Sequence, residues 1–365
     1  MERQKSFMVK KIDLYNFYKN KKILITGHTG FKGSWLSTWF LKIGCKVVGV
    51  SKDIPTKPSN FLILSLNKKV KNYYKDVTNF ISIKNIILKE KPDVIFHFAA
   101  KSIVSESYTK PLETINTNTI GSLNVLHSAS LLKKRCVCIM ITSDKCYFNQ
   151  EKKTGYTEES LLGGKDIYSG SKAAAEVLLN SYYHSFKVKN KKLLFCTARA
   201  GNVIGGGDWS KDRLVPDIMK SWAKGKKAQI KNPKSIRPWQ HVLEPLFGYM
   251  KMGIILNSKK KLNGQSFNFG PSNGRIYKVI DLVKKLEFSM NLKKKYTINR
   301  NIYFKETKIL KLNSFKAKKI LNWQAYLNLQ EMVAYISTWY LNYFKKNTDM
   351  YKFTLSQIQD YENKI

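Results

Sequence analysis

The sequence is short of acidic residues, of paired cysteines and of long apolar runs, and each shortage excludes a class of protein. The five cysteines among its 365 residues are odd in number and have no CxxC spacing, so we expect neither a disulfide framework nor a metal site, but reduced thiols in a core. About 18 consecutive apolar residues, as a membrane helix requires, occur nowhere. The N-terminal stretch also lacks the apolar segment of a signal peptide. These absences predict a cytoplasmic protein with no membrane partner.

The shortage of acids leaves a large positive charge. Lys and Arg number 65 against 25 Asp and Glu, a net charge of +40, and such an excess is typical of proteins that bind nucleic acid or anionic membranes. The basic residues here are mostly lysines spread over the whole length, and the lysine runs at 259–261 and 293–295 have no interleaved arginine or aromatic residue. We interpret them as a general basic surface and expect no nucleic-acid partner. An RNA-binding protein with a similar fold is the alternative.

Apolar runs of strand length alternate with segments of helical spacing over the first 200 residues. Because the runs are apolar on both faces, they predict a parallel sheet covered by helices on each side, a doubly wound α/β fold. The strand-like runs are ILIT at 23–26, KVVGV at 46–50, DVIFHFAA at 93–100, CVCIMITS at 136–143 and LLFCTARA at 193–200. The helix-like segments are GSWLSTWFLKIG at 33–44, ISIKNIILKEK at 81–91, TNTIGSLNVLHSASLLK at 117–133 and YSGSKAAAEVLLNSYYHSF at 168–186.

After residue 200 the alternation weakens, which predicts a smaller, mixed α/β second lobe. We expect an N-terminal extension at 1–20, a dinucleotide-binding domain at 21–200 and the second lobe at 201–365. A stretch near 240–272 is expected to return to the main sheet, with FNFG at 267–270 as its strand.

The first strand runs into TGHTGFKGSWL, in which Gly27, Gly30 and Gly33 open a helix. A glycine turn between strand and helix lets the backbone approach a pyrophosphate, whose charge is favoured by the free N–H groups of the helix. This arrangement predicts a dinucleotide site. Further candidate cofactor contacts lie beside the glycines or after the following strands: Phe31, Lys32, Asp53, Asp76, Val77, Phe98, Ala99, Ala100 and Thr142.

Two later motifs carry groups for acid and base chemistry. In TSDKCY, Asp144 and Lys145 directly follow a buried strand, where open α/β sheets place their chemistry, although a surface ion pair is the ordinary interpretation of such a dipeptide. In YSGSK, Tyr168 and Lys172 are four residues apart and project from one face of a helix. A lysine ammonium and a cationic nicotinamide would both favour the phenolate of Tyr168, so we expect it to act as a base.

Taken together, these motifs resemble the extended short-chain dehydrogenase/reductase family, within its group of nucleotide-sugar epimerases and dehydratases. The resemblance runs from about residue 15 to the end and is best to the members that dehydrate CDP-glucose. It rests on GHTGFKGSWL, TSDKCY, YSGSK, AGNVIGGGDWSKDRLVPD, RPWQHVLEPLFGY and TLSQIQDYE. It implies a Rossmann domain that holds NAD, a C-terminal lobe that holds the nucleotide sugar, and a homodimer or homotetramer. The implied product, CDP-4-keto-6-deoxyglucose, serves the deoxysugars of lipopolysaccharide.

The resemblance also implies roles for individual residues. Hydride leaves sugar carbon 4 for NAD and returns at carbon 6, while Lys145 takes the carbon 5 proton and Asp144 protonates the leaving hydroxyl. Lys145 must then be neutral and Asp144 protonated, which burial favours for both. The implied catalytic residues are Ser143, Asp144, Lys145, Tyr168 and Lys172. The implied substrate contacts are Ser102, Asn202, Arg213, Leu214, Arg237 and His241, with the arginines on the diphosphate and His241 equally interpretable as a packed core histidine.

The chain departs from the family pattern at a few positions. Lys101 stands where a glutamine is expected, Asn322 replaces a glycine, and Ser51 ends a strand where an NAD site usually keeps an acid. Asp53 is a possible substitute for that acid. Because Lys32 and Lys52 are nearby, NADP stays open as the cofactor. A nucleotide-sugar 4-epimerase and a dehydratase of another nucleotide sugar are the alternative functions, although an epimerase has no use for Asp144 and Lys145 together.

Overall fold

A computed structural model describes residues 11–152, 154–186, 191–271, 277–299 and 310–365. Its centre is a seven-stranded parallel sheet in the order β3-β2-β1-β4-β5-β6-β11, and three two-stranded pairs lie outside it. The strands are β1 Lys22–Thr26, β2 Lys46–Ser51, β3 Lys71–Tyr74, β4 Val94–His97, β5 Cys136–Ile141, β6 Leu193–Ala200, β7 Val203–Ile204, β8 Ala228–Ile230, β9 Ile236–Arg237, β10 Gln240–His241, β11 Ser266–Phe269, β12 Tyr277–Lys278 and β13 Tyr296–Ile298.

Helices cover both faces of this sheet, and short ones fill the second lobe. They are α1 Lys11–Tyr18, α2 Phe31–Ile43, α3 Asn60–Ile63, α4 Phe80–Glu90, α5 Val104–Thr109, α6 Pro111–Ile115, α7 Gly121–Ser130, α8 Ile167–Phe186, α9 Leu214–Ala223, α10 Leu243–Ser258, α11 Val279–Ser289, α12 Phe315–Leu321, α13 Leu329–Phe344 and α14 Met350–Glu362. No helix in the described ranges is long and apolar enough to cross a membrane.

Alternating side chains explain why the central strands are apolar throughout. Along β1, Ile23 and Ile25 enter one hydrophobic cluster, while Leu24 enters the cluster on the opposite face of the sheet. Strands buried on both faces are the condition for a parallel sheet. The strand order reverses direction at β1 and β4, which leaves a crevice at their carboxyl ends. The doubly wound prediction is therefore confirmed.

The sequence prediction differs from the structure at two strands of this sheet and at one helix. It missed β3, whose KNYY sequence is half-exposed at the sheet edge and has no apolar run. The strand predicted to reach residue 100 ends at His97, so that residues 98–100 turn over the crevice. The helix predicted from 117 begins with a π-helical turn at Asn116–Ile120. The predicted return strand is present as β11, parallel to β6.

The second lobe is joined to the helix that follows the glycine motif. The indole N–H of Trp35 in α2 donates to the carbonyl of Gly206 at 2.8 Å, and a Cβ at Gly206 would lie 2.0 Å from Trp339 of α13. At the other end of α2, Glu362 of α14 accepts from Trp39 Nε1 and Lys42 Nζ, each at 2.7 Å. The two lobes therefore share a core along α2. The domain boundaries at residues 20 and 200 stay a prediction.

A buried ion pair crosses the sheet beneath its carboxyl edge. Arg199 of β6 donates to Glu176 of α8 at 2.9 Å, and both side chains are almost fully buried. Thr142 Oγ1 and Thr197 Oγ1 also donate to the Glu176 carboxylate. Arg199 donates further to Tyr147 Oη at 2.7 Å. Although burial raises the pKa of Glu176, Arg199 and the two threonines lower it below its ordinary value.

We expect the Arg199→Met variant to be destabilised by about 3–5 kcal/mol, because it leaves the buried Glu176 carboxylate without its cation. The measurement is urea unfolding at neutral pH. As a control, Lys364→Met removes the exposed pair with Glu331 and should cost less than about 1 kcal/mol. An Arg199→Met variant as stable as the control would contradict this role for the pair.

Candidate active site

The glycine motif forms a cradle between β1 and α2. Gly27 has φ of 73°, and a Cβ there would lie 2.7 Å from the Ala99 nitrogen. A Cβ at Gly33 would lie 2.3 Å from the Gly27 carbonyl oxygen. At Gly30, the residue before α2, the only contact of an added Cβ within the described structure is the Gly27 oxygen at 3.3 Å. The open side of the cradle therefore exposes the N–H groups of α2, and the residues present fit a pyrophosphate.

The ends of β2 and β3 border this cradle. Thr29 of the glycine loop donates to the Asp53 carbonyl at 2.7 Å, and the Asp53 side chain is exposed. After β3, Asp76 accepts from the Thr78 N–H at 2.9 Å and pairs with Lys52 at 3.1 Å. Burial raises the pKa of Asp76, but these two donors outweigh it and the pKa lies below its ordinary value. Val77 is buried beside them.

The end of β4 forms the other wall of the crevice. Phe98, Ala99 and Ala100 are half-buried there, and the Ala99 N–H donates to Thr26 Oγ1 at 3.2 Å. Phe31 starts α2 beside Gly205 of the second lobe, since a Cβ on that glycine would lie 3.1 Å from the Phe31 ring. The predicted cofactor residues from β1, β2, β3 and β4 thus share one edge of the sheet.

Asp144 and Lys145 lie at the end of β5 and do not form a surface ion pair. Asp144 is only 4% exposed, and its Oδ2 has no hydrogen-bond partner. Ser143 Oγ donates to the other oxygen, Oδ1, at 3.0 Å. Burial raises the pKa of Asp144, against the lowering effects of Lys145 and Ser143. Lys145 is half-buried. The net effect is a shift of the Asp144 carboxyl group towards its protonated form.

Tyr168 and Lys172 are both buried on α8, and Ser143 faces the Tyr168 hydroxyl. Burial raises the pKa of Tyr168 to about 12, and the nearby Asp144 carboxyl adds to this rise. Burial also lowers the pKa of Lys172 to about 8, although Glu176 opposes it. The phenolate expected at Tyr168 is not favoured in the protein alone, because burial dominates its pKa. The joint effect of the Lys172 ammonium and a bound nicotinamide stays a prediction.

Lys32 and Arg213 bring two cations to the same centre. Lys32 is half-buried, and its pKa falls to about 8 because of burial and the charges of Arg213 and Lys172. Arg213, before α9, donates to Asp208 at 3.1 Å and to Ser102 Oγ at 2.9 Å. Lys32 thus lies among the predicted catalytic residues and away from the adenosine end of the crevice, so it does not support NADP.

The other predicted substrate residues are divided between the crevice and the core. Asn202 follows Gly201, which lies beside Asp144, since a Cβ on Gly201 would be 3.3 Å from Asp144 Oδ2. The Asn202 carbonyl accepts from Gln240 at 3.0 Å, which joins this segment to β10. Arg237 lies in β9, three residues before Gln240, and Leu214 is the half-buried first residue of α9.

His241 is a core residue and not a surface ligand. It has no exposed surface and packs edge-on against Trp35 and Tyr335, with ring centroids 5.9 Å and 5.2 Å away. Burial lowers its pKa to about 3. The predicted substrate contact is therefore not supported, and the packed core histidine that the sequence left open describes its position.

Sequence reasoning missed the residues that support the catalytic groups. Asn118, in the π-helical turn, donates to Ser171 Oγ at 2.9 Å and exchanges hydrogen bonds with the backbone of Lys101. It thereby joins the end of β4 to α8. Thr142 is tied to Glu176, as described above. A π-helical turn often marks a functional site, but no residue pattern in the sequence predicts one.

Comparison with known proteins agrees with this geometry. Residues 24–336 match the family described as GDP-mannose 4,6 dehydratase. The chain belongs to this family. A curated relative, the CDP-glucose 4,6-dehydratase of Salmonella typhimurium, is 38% identical over 95% of this chain and 97% of its own. The UDP-glucose 4-epimerase of Mycoplasma genitalium is 26% identical over 88% of this chain and 97% of its own.

Solved structures share the fold of the family. An epimerase from Methanothermobacter thermautotrophicus has a TM-score of 0.79 at 19% identity, covering 92% of this chain and 98% of its own. A dTDP-glucose 4,6-dehydratase from Bacillus anthracis, solved in complex with NAD, has a TM-score of 0.72 at 20% identity, covering 92% and 99%. At these identities the likeness establishes the Rossmann-type architecture alone.

The buried Lys172 predicts a pH dependence of stability. Its pKa of about 8 in the folded protein, against 10.5 ordinarily, means that folding penalises its charged form by about 3 kcal/mol. The penalty is fully present below pH 8 and disappears as pH rises towards 10.5. We therefore expect the wild-type protein to gain about 3 kcal/mol relative to Lys172→Met between pH 7 and pH 10.5, measured by urea unfolding. A difference that is independent of pH would contradict the lowered pKa.

Proposed function

We propose that this protein is a CDP-glucose 4,6-dehydratase that forms CDP-4-keto-6-deoxyglucose and water with the help of bound NAD. The observation that carries the proposal is Asp144, a buried carboxyl group with one unpartnered oxygen, next to Lys145 and close to Tyr168 of α8, the helix that also carries Lys172. A relative of that activity, 38% identical over nearly the whole length, supports the substrate.

The glycine cradle and the strand ends would hold the cofactor. Gly27, Gly30 and Gly33 admit the pyrophosphate to the N-terminus of α2, and Asp76 and Val77 border the adenosine end. Phe98, Ala99, Ala100 and Thr142 line the part of the crevice that leads to Tyr168. NAD, when bound, supplies the oxidation at sugar carbon 4 and the reduction at carbon 6.

Tyr168 would take the proton of the carbon 4 hydroxyl. Its pKa of about 12 keeps the phenol protonated at neutral pH in the protein alone, so the reaction needs a nearby positive charge to favour the phenolate. Lys172 is four residues away on the same face of α8 and provides an ammonium below pH 8. Ser143, which faces the Tyr168 hydroxyl, keeps the phenol oriented.

Asp144 and Lys145 would carry the elimination. Once carbon 4 is a ketone, the carbon 5 proton becomes acidic and Lys145 removes it, while Asp144 gives its proton to the departing carbon 6 hydroxyl. Burial raises the pKa of Asp144 and so favours its protonated form, and the unpartnered Oδ2 leaves one oxygen free to face the sugar. Lys32 and Arg213 are the cations that would meet the diphosphate, with Arg237 further along the same lobe.

A nucleotide-sugar 4-epimerase is the second candidate, because the chain is 26% identical to one of these enzymes over most of its length. An epimerase needs the glycine cradle, Tyr168 and Lys172, but it removes no water. It gives no role to a protonated carboxyl group and an amine at the end of β5. We therefore favour the dehydratase.

We further propose a cytoplasmic homodimer whose product enters lipopolysaccharide deoxysugars. The dimer is supported by apolar side chains exposed on α6 and α8, which pack side by side. Leu112 is 74% exposed and Val177 is 50% exposed, and such a patch is typical of a contact surface. Sedimentation of the purified protein at the mass of two or four chains agrees with this, whereas a single chain would contradict it.

The purified protein incubated with CDP-, dTDP-, UDP- and GDP-glucose should form a 4-keto product from CDP-glucose alone. The product is measured by its absorbance in alkali and by mass spectrometry, as a loss of one water. Epimerised but not dehydrated nucleotide sugar would favour the second candidate. Turnover of another nucleotide in preference to CDP-glucose would contradict the substrate assignment.

The Lys145→Met variant should lose dehydration by about a hundredfold to ten-thousandfold, the usual cost of removing a general base. It should still reduce the cofactor on mixing with CDP-glucose, because Tyr168 and Lys172 are intact. Solvent deuterium should no longer exchange at carbon 5. Tyr168→Phe is the matched control and should fail earlier, with no reduced cofactor. Near-normal dehydration by Lys145→Met would leave Asp144 or a water as the base.

A further inference from the structure

The adenosine end of the crevice lacks the acid that usually distinguishes NAD from NADP. About 20 residues after the glycine motif, a dinucleotide fold places an acid on the ribose 2′-hydroxyl, but β2 ends here at Ser51. Ser51 is buried and turned inward, with Oγ 2.9 Å from His28 Nδ1. The opposite nitrogen of His28 lies 2.9 Å from Asn72 Oδ1. The Ser51 hydroxyl therefore makes its hydrogen bond within the protein. Discrimination between NAD and NADP must come from neighbouring residues.

The next residue, Lys52, would by itself favour the 2′-phosphate of NADP. Its ammonium is instead held between two carboxylates, at 3.1 Å from Asp76 at the end of β3 and at 3.5 Å from Glu113 in α6. The same oxygen of Glu113 also pairs with the Lys101 ammonium at 2.9 Å. Lys110 lies 4.0 Å from the other oxygen of Glu113, so three lysines surround the two carboxylates, and Lys52 already has two anionic partners.

Backbone contacts place this cluster beside the cofactor cradle. Thr29, between Gly27 and Gly30, donates its hydroxyl hydrogen to the Asp53 carbonyl and its N–H to Ser51 Oγ. The Lys75 N–H donates to the Ser51 carbonyl at 2.9 Å, which joins the ends of β2 and β3. Lys52 therefore projects from a segment fixed to the loop that would bind the pyrophosphate.

We propose that Asp76 and Glu113, by holding Lys52, make this site select NAD over NADP. The inference rests on the proposed function only in taking the crevice as a dinucleotide site. A 2′-phosphate brings about two negative charges next to Asp76 and Glu113, and it gains Lys52 only if that ammonium leaves both carboxylates. A ribose hydroxyl brings no charge and needs no such rearrangement. The acid that is absent from β2 is thus replaced by acids from β3 and α6.

The experiment is a calorimetric titration of the full-length protein, stripped of cofactor, with NAD and with NADP. The wild-type protein should bind NAD at least tenfold more tightly. Glu113→Gln, alone and with Asp76→Asn, should raise NADP affinity relative to NAD by on the order of tenfold, because each change removes a carboxylate that holds Lys52 and so lets its ammonium meet the phosphate. Adding Lys52→Ala to the double variant should abolish the gain, since the gain requires the released ammonium.

Two controls separate this inference from its alternatives. Asp360→Asn removes an exposed acid from α14 and should leave the ratio of the two affinities unchanged. Asp53→Asn removes the acid that the sequence suggested as a substitute, and a changed ratio in this variant with an unchanged ratio in Glu113→Gln would overturn the inference. A wild-type protein that prefers NADP, and loses that preference with Lys52→Ala, would also overturn it.

Failure to bind either dinucleotide would reject the dinucleotide site and the inference together. Tight NAD binding without dehydration would reject the CDP-glucose reaction alone.

Discussion

The buried ion pair between Glu176 and Arg199 is the interaction on which the site depends. Glu176 lies one helical turn beyond Lys172 on α8, and it also holds Thr142 at the end of β5, directly before Ser143 and Asp144. Arg199 ties the same carboxylate to β6 and, through Tyr147, to the segment that follows the catalytic strand. A buried pair of this kind is stable only when further hydrogen bonds support it, and here both terminal nitrogens of Arg199 donate twice, while its Nε has no partner. The catalytic strand end and the catalytic helix are therefore positioned by one shared network.

Burial gives the catalytic groups their chemistry. Exclusion of water raises the pKa of Asp144 and of Tyr168 and lowers that of Lys172, so each group is moved towards its neutral form. A neutral carboxyl group can donate a proton to a departing hydroxyl at neutral pH, which a solvent-exposed aspartate cannot do. The second lobe contributes to this exclusion, because Gly201 packs against the Asp144 side chain.

Much of this arrangement is predictable from the sequence, since strands buried on both faces, a glycine turn and a Tyr-Lys pair at helical spacing each have a local signature. The half-exposed β3, the π-helical turn around Asn118 and the core position of His241 have none, because they depend on neighbours far away in the chain. Asn322 illustrates the difference. Its replacement of a family glycine is a departure in the sequence, yet its φ of 49° is a left-handed conformation that asparagine tolerates.

The central claim is that Asp144 and Lys145 remove water within a reaction that returns to carbon 6 of the sugar the hydride taken from carbon 4. The most direct measurement uses CDP-glucose that carries deuterium at carbon 4, followed by NMR of the product. We expect deuterium to appear in the carbon 6 methyl group, with no net change in the cofactor. Deuterium that remains at carbon 4 of an undehydrated sugar, or that accumulates in reduced nicotinamide, would contradict this account.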